Sequence, residues 1–164
     1  MTLCLGPVGS GKTLLLKKLQ NVNNVNNTST SVPTVGTNMF TIRNDNETFL
    51  IRELGGAMAP LWSRYFNENI NKIIYVVDAS NLCQISAAGV LLYTILVDPV
   101  LKNCRFLLVL TKMDVSYRQM RNEALLMLQM RRLQEEINQT ITITEASAIT
   151  GDGSKEIMNW LRKK

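Results

Sequence analysis

Gly6, Gly9, Ser10, Gly11, Lys12 and Thr13 fall in the run GPVGSGKT. Its spacing, G-x-x-x-x-G-K-T, is that of a phosphate-binding loop. Glycines let the backbone curl so that successive N–H groups face one anion. A helix starting at this point adds unpaired N–H donors and a favourable dipole. In such a loop Lys12 reaches the β- and γ-phosphates, and Thr13 places its hydroxyl on Mg2+. Histidine is absent from the chain. That excludes Ser-His-Asp and Cys-His catalysis and any histidine-bearing metal site. Backbone amides, lysine, hydroxyls, carboxylates and a bound metal remain to do the chemistry.

Two further stretches carry base-reading chemistry. In the run Leu110-Thr111-Lys112-Met113-Asp114, a carboxylate at Asp114 can accept from N1–H and the exocyclic amine of guanine, a pair adenine does not offer. The aliphatic stem of Lys112 can cover the base plane. In Glu145-Ala146-Ser147-Ala148, the Ala148 amide can donate to guanine O6. Each stretch alone is weak, and their order and placement after strands give them weight. Asp78, closing IIYVVD, reads in two ways. It is either the metal-bearing acid of a P-loop ATPase or kinase, or a strand-end and helix-capping residue.

These residues need elements to position them. The pattern alternates strand and helix, as in an α/β fold with a mainly parallel sheet. Strands are predicted over residues 1–5, 35–43, 48–54, 71–78, 105–110 and 140–144, the second and third pairing as an antiparallel hairpin. Helices are predicted over 12–20, 82–96, 120–137 and 154–161, with a short one near 61–69. Leu14, Leu15 and Leu19 are expected on the buried side of the first helix, and Ser154 as the cap of the last. The Asn-rich run 21–31 reads as a loop. Loops leaving the carboxyl ends of parallel strands converge on one edge, where such sheets bind ligands.

The chain has 164 residues, 46% of them apolar and 19% charged, which suits a single domain over 1–164. No apolar run reaches the ~18 residues that span a bilayer. With a phosphate loop opening at Gly6, no secretory leader is expected. Thr2 excludes an N-myristoyl anchor, and the tail carries no prenylation signal. Three cysteines (Cys4, Cys83, Cys104) in apolar segments read as buried free thiols of a reducing, cytoplasmic compartment. The net charge is +5. Basic residues between 118 and 132 read better as solvated helix faces than as a nucleic-acid or lipid surface, because acids are interspersed.

Taken together, these motifs resemble the small GTPases of the Ras superfamily, and within them the Arf and Arf-like branch. GPVGSGKT, PTVGTN (33–38), ELGGAMAPLWSRYF (53–66), TKMD and SAI (147–149) occur in the family's order. The resemblance covers essentially the whole chain. It implies the P-loop small-GTPase fold, a six-stranded and mostly parallel sheet with one antiparallel edge strand and about five flanking helices. It also implies GTP or GDP and Mg2+ as ligands. Gly6, Gly9, Ser10, Gly11, Lys12, Thr13, Thr34, Gly56, Thr111, Lys112, Asp114, Ser147 and Ala148 would hold the nucleotide. Thr13, Thr34 and, through water, Glu53 would hold the metal. Thr34 would order switch one only in the GTP state. Effectors would read residues 34–38 and 53–66, an exchange factor and a GTPase-activating protein would act on the cycle, and partners would recruit the protein to membranes. Membrane or ciliary traffic and signalling are the processes the family implies.

The chain also departs from that family. Glu53 stands where the family has Asp, which shifts the carboxylate by about one methylene and lowers Mg2+ affinity unless the water shell absorbs the change. Ala57 stands where the family has the water-orienting Gln, so intrinsic hydrolysis is expected to be close to undetectable. The family's amphipathic N-terminal helix has no counterpart before strand one, so nucleotide-coupled membrane insertion is not expected. Of the aromatic triad that Arf effectors read, two positions are Thr37 and Arg52, and only Tyr65 is aromatic. Trp62 and Phe66 supply either docking surface or, more in keeping with their setting, core packing. Two alternatives stay open, a GTP-locked or nucleotide-free scaffold and a P-loop kinase.

Overall fold

A computed structural model describes residues 1–20, 32–116 and 118–163, so the loop expected over 21–31 lies outside the described residues. Six strands form one sheet in the order β2-β3-β1-β4-β5-β6. They are β1 (Thr2–Leu5), β2 (Thr37–Asn44), β3 (Glu47–Leu54), β4 (Lys72–Asp78), β5 (Arg105–Thr111) and β6 (Ile141–Glu145). All neighbours run parallel except the edge pair β2 and β3. Asp45, with φ 52°, turns that hairpin. The helices are α1 (Lys12–Leu19), α2 (Leu82–Leu96), α3 (Arg118–Met127), α4 (Met130–Glu136) and α5 (Ser154–Arg162), with 3-10 segments at Gly56–Tyr65 and Pro99–Leu101. Among the described residues no helix is long and apolar enough to cross a membrane.

The central strands are apolar along their length because helices cover both faces. Alternation sends Leu3, Leu5, Ile73, Tyr75, Val77, Phe106, Leu108 and Leu110 into the core under α2 and α3. Cys4, Ile74, Val76, Leu107 and Val109 enter the second core, with Leu15, Leu16 and Leu19 of α1 and Ile157, Trp160 and Leu161 of α5. The Tyr75 hydroxyl ties β4 to α2 by donating to the Ala88 carbonyl at 2.7 Å.

Several local expectations need correction. Leu16, not Leu14, completes the buried stripe of α1, and Leu14 is half-buried. The segment expected as a short helix near 61–69 is a 3-10 helix set earlier, at Gly56–Tyr65, with Pro60 inside it. The cap of α5 is Gly153, at φ 79°, and Ser154 is already helical. A Cβ on Gly153 would lie 2.0 Å from the Glu145 carbonyl, so close approach to β6 selects glycine there. Cys83 is exposed, whereas Cys4 and Cys104 are buried.

The helix expected over 120–137 is two helices. The break is Gln129, left-handed at φ 52° and ψ 39°. Its amide donates to Leu126 and its carbonyl accepts from Leu133, so one residue ends α3 and starts α4. That conformation costs a side-chain-bearing residue about 1 kcal/mol or more. Gln129→Gly is therefore expected to hold or raise stability by roughly 0.5–1 kcal/mol, and Gln129→Val to lower it by about 1–2 kcal/mol. Urea unfolding of the two variants checks this, and a loss with glycine as large as with valine would refute it.

Candidate guanine-nucleotide and magnesium site

The loop leaving β1 is shaped by glycine. Gly6, Gly9 and Gly11 have φ of 149°, 75° and 93°. A Cβ on Gly6 would stand 2.3 Å from the Val76 carbonyl oxygen. Gly11 caps α1 in the left-handed conformation, and the first-turn amides that follow have no intrahelical acceptor. Lys12 folds back over the loop, its Nζ donating to the Gly6 and Pro7 carbonyls at 2.9 Å each. Burial pulls its ammonium below the ordinary lysine value, while Cys4 and Glu53 pull it back up. Burial also pushes the Cys4 thiol up, so Cys4 packs beneath the loop as an uncharged thiol. The Ser10 hydroxyl is buried with no partner among the described residues. Curled amides, one lysine and an unsatisfied hydroxyl form a cradle suited to phosphate.

Three side-chain oxygens meet beside this cradle. Thr13 Oγ1 donates to Glu53 Oε1 at 2.5 Å and lies 3.2 Å from Thr34 Oγ1. Glu53 is fully buried at the end of β3, and its second oxygen accepts from Asn38 Nδ2 at 3.0 Å. Two hydroxyls and a carboxylate are hard oxygen donors, the kind Mg2+ takes. Mg2+ typically uses one or two protein ligands and completes its shell with phosphate and water. Among the described residues no cluster of three or more His, Cys, Asp and Glu could hold a metal by itself. The donor set therefore fits a metal shared with a phosphate ligand.

Residues 33–38 and 53–66 meet each other, and Gly56 meets the loop. A Cβ on Gly55 would meet the Thr34 carbonyl at 2.2 Å, and one on Gly56 would meet the Val8 nitrogen at 2.3 Å. Gly56 thus lies on the loop backbone, with Ala57 beside it. The Trp62 indole donates to the Gly55 carbonyl at 3.0 Å and is buried, so this ring is core.

The residues expected to read the base reach the same edge from β5 and β6. Ser147 Oγ donates to Asp114 Oδ1 at 2.7 Å, which orients the exposed carboxylate. Ala148 follows in the half-buried turn before Gly151. Lys112, at φ 58°, sends Nζ to the Gly9 carbonyl at 3.2 Å and to Asp78 at 2.6 Å. Thr111 sits under the loop, its hydroxyl donating to the Ser10 carbonyl at 2.5 Å and lying 3.1 Å from that of Val77. Thr111 and Lys112 thus strap the phosphate loop to the base-reading strand. Asp78 accepts from the Ser80 amide and hydroxyl, and the cap of α2 is Asn81. Asp78 is therefore the anchor of Lys112 and of a turn, not the helix cap.

Two contributors carried no sequence signal of their own role. Asn38 holds Glu53, and Gln84 of α2 donates to the Val8 carbonyl at 2.8 Å. Both are polar residues whose partners lie far off in sequence, so spacing could not mark them.

Comparison with known proteins accords with this geometry. The ADP-ribosylation factor family matches residues 1–164. Human ADP-ribosylation factor-like protein 16 is 34% identical over 168 residues, covering 99% of this chain and 84% of that protein. ADP-ribosylation factor-like protein 1 of Caenorhabditis elegans is 32% identical over 161 residues, covering 97% and 85%. The fold is similar to that of the Arl6 BBS3 small GTPase from Trypanosoma brucei, solved with the nucleotide analogue GppNp. That likeness has a TM-score of 0.80 at 24% identity, over 98% of this chain and 94% of the other. With the family matched over the whole length and relatives above 30% identity covering nearly all of it, the chain belongs to the ADP-ribosylation factor family of small GTPases.

Proposed function

We propose that the chain is a guanine-nucleotide switch that binds GTP and GDP with Mg2+ and hydrolyses GTP feebly on its own. One observation carries this reading. Lys12, Thr13, Thr34 and Glu53 meet on one side of the loop, while Asp114, Ser147 and Ala148 meet on the other. A nucleotide laid across the loop puts its phosphates on the first group and its base on the second. Lys12 exchanges two carbonyl partners for phosphate oxygens, and the amides of the loop and of α1 hold the remaining charge. Thr13 and Thr34 directly, and Glu53 through water, would hold Mg2+, which when bound would neutralise the phosphates. Gly56, already against the loop, presents its amide to the γ-phosphate, so the terminal phosphate couples residues 34–38 to residues 53–66. Effectors that read those two segments then sense the nucleotide. Asp78, occupied by Lys112 and Ser80, is poorly placed for the metal role a P-loop kinase would give it.

The base-reading carboxylate offers the test. Ser147 engages one oxygen of Asp114, and guanine would meet the carboxylate through two N–H donors. Asp114→Asn replaces one acceptor by a donor. Removing a matched pair of this kind reverses base preference by about 1–3 kcal/mol or more. The variant is expected to lose at least about tenfold in GTP affinity and to prefer xanthosine triphosphate, read by competition with a fluorescent nucleotide. Unchanged guanine preference, or ATP bound as tightly as GTP by the wild type, would reject this reading.

A further inference from the structure

The outward face of the β2–β3 hairpin has its own chemistry. Register pairs Thr37 with Leu54, Met39 with Arg52, Thr41 with Leu50 and Arg43 with Thr48. Strand alternation puts these eight residues on one face. Leu54 is buried against the core that the 3-10 segment Gly56–Tyr65 covers, and the rest are exposed or half-exposed. Met39 and Leu50 are 46% and 44% exposed. They form an apolar patch with Arg52 at one end and Arg43 at the other, roughly 14 Å apart by strand rise.

Arg52 is held in place. Its Nε donates to Met39 Sδ at 3.2 Å, and its guanidinium lies over the Tyr65 ring, 5.9 Å from the centroid. Neither contact is a hydrogen bond from the two terminal nitrogens of the fork. A stacked and therefore ordered guanidinium loses less entropy when it binds a carboxylate. The hairpin's own carboxylates are used elsewhere. Asp45 and Glu47 pair with Arg162 of α5, and Glu53 is buried beside Thr13 and Asn38. Among the described residues no carboxylate pairs with Arg43, Arg52 or Arg64. The face is apolar at its centre and cationic at its rim, which calls for an apolar partner segment flanked by acids.

We propose that this face, through Arg52 ordered on Tyr65, receives an acidic amphipathic peptide segment of a partner protein. The inference rests on the switch reading above, since the face ends at Leu54, followed by Gly55 against the Thr34 carbonyl and Gly56 against the phosphate loop. The acid is the specific part. An aromatic at position 52 would select a wholly apolar partner, whereas the arginine rejects basic and favours acidic ones.

The experiment is a selection of random displayed peptides on the full chain loaded with GTP analogue, loading being confirmed by bound-nucleotide analysis. Selected peptides are then synthesised and measured by fluorescence anisotropy. They are expected to carry Asp or Glu flanking apolar residues and to protect the β2–β3 amides from hydrogen exchange. They should bind Arg52→Glu at least about tenfold more weakly. Changing the critical peptide acid to Lys should restore binding to Arg52→Glu, a charge swap that misfolding cannot mimic. Selected peptides without acids, a footprint away from the hairpin, or a failed swap would overturn the proposal. So would Arg52-dependent binding to phosphatidylserine vesicles with no peptide binding. Failure of the switch reading has a different signature, acidic peptides binding the GDP and GTP-analogue forms equally.

Discussion

Lys12→Met is expected to abolish high-affinity binding of GTP and GDP while leaving the fold intact. The ammonium is buried, and among the described residues it donates to the Gly6 and Pro7 carbonyls. Those oxygens lie at the rim of a loop whose path is set by glycine conformations, so losing the donor leaves the backbone course unchanged. Methionine keeps nearly the same length and volume, so the nearby buried Cys4 keeps its packing. What disappears is the positive charge that, in the proposed reading, meets the phosphates. Truncating one partner of a buried, hydrogen-bonded charge pair typically costs 2–5 kcal/mol, about 30-fold to several thousandfold in affinity. The loop amides and α1 remain, which is why residual weak binding is expected. Titration calorimetry with GDP reads the loss, and thermal unfolding without nucleotide reads the fold. Because the variant removes a buried cation whose charged form burial disfavours, the melting temperature without nucleotide should hold or rise. A melting temperature that falls by many degrees would mean that Lys12 is chiefly structural. Affinity within a few-fold of wild type would mean that phosphate is not the ligand.

How far this site could be read in advance depended on how local the physics is. The phosphate loop was legible because its glycine conformations and its lysine lie within one octet. The mainly parallel sheet was legible because apolar runs such as IIYVV and FLLVL can only be buried on both faces, whereas the order of strands across it was not. The single antiparallel pair followed from two alternating strands separated by a polar turn. The break at Gln129 was not legible. Glutamine is a good helix former, and only the packing of Leu128, Met130 and Leu133 on one core makes a left-handed residue worthwhile there. Serine is the commoner cap, which points to Ser154, while the contact that demands glycine at Gly153 comes from Glu145, eight residues away. The inner architecture of the site was hidden for the same reason. Thr111 and Lys112 lie three and two residues before Asp114 in sequence, yet both side chains turn toward the phosphate loop, about a hundred residues earlier. Glu53 read as a one-methylene departure from the family. Its significance lies in a neighbour, since the carboxylate is shared between Thr13 and Asn38 and so joins α1, β2 and β3 at one buried point.

Ala57→Gln is expected to raise single-turnover GTP hydrolysis by about tenfold to a hundredfold, the largest gain any single substitution should give this site. Phosphoryl transfer asks little covalent chemistry of the protein. Charge is stabilised by Lys12, the loop amides and a metal, and all of these are provided for here. The attacking water must also be held in line with the leaving oxygen, and a methyl group cannot do that. Position 57 is suited to supply the missing group. Gly56 lies against Val8 of the phosphate loop, so the next side chain starts within reach of the terminal phosphate, and Ala57 is exposed with room for a longer chain. The backbone there begins a 3-10 segment, in which glutamine is as acceptable as alanine, so stability should not change measurably. Nucleotide affinity should not change either, because the water-orienting group does not touch the ground-state nucleotide. The distinguishing result is therefore a rise in hydrolysis with unchanged GTP and GDP affinity. Phosphate release from preloaded protein follows the rate, and calorimetry follows the affinity. If wild type already hydrolyses GTP as fast as the glutamine variant, another group orients the water and the feeble-hydrolysis reading fails. If neither form hydrolyses GTP although both bind it with Mg2+, Glu53 and its Asn38 partner become the next residues to change. Glu53→Asp in the Ala57→Gln background would then test whether the added methylene misplaces the metal.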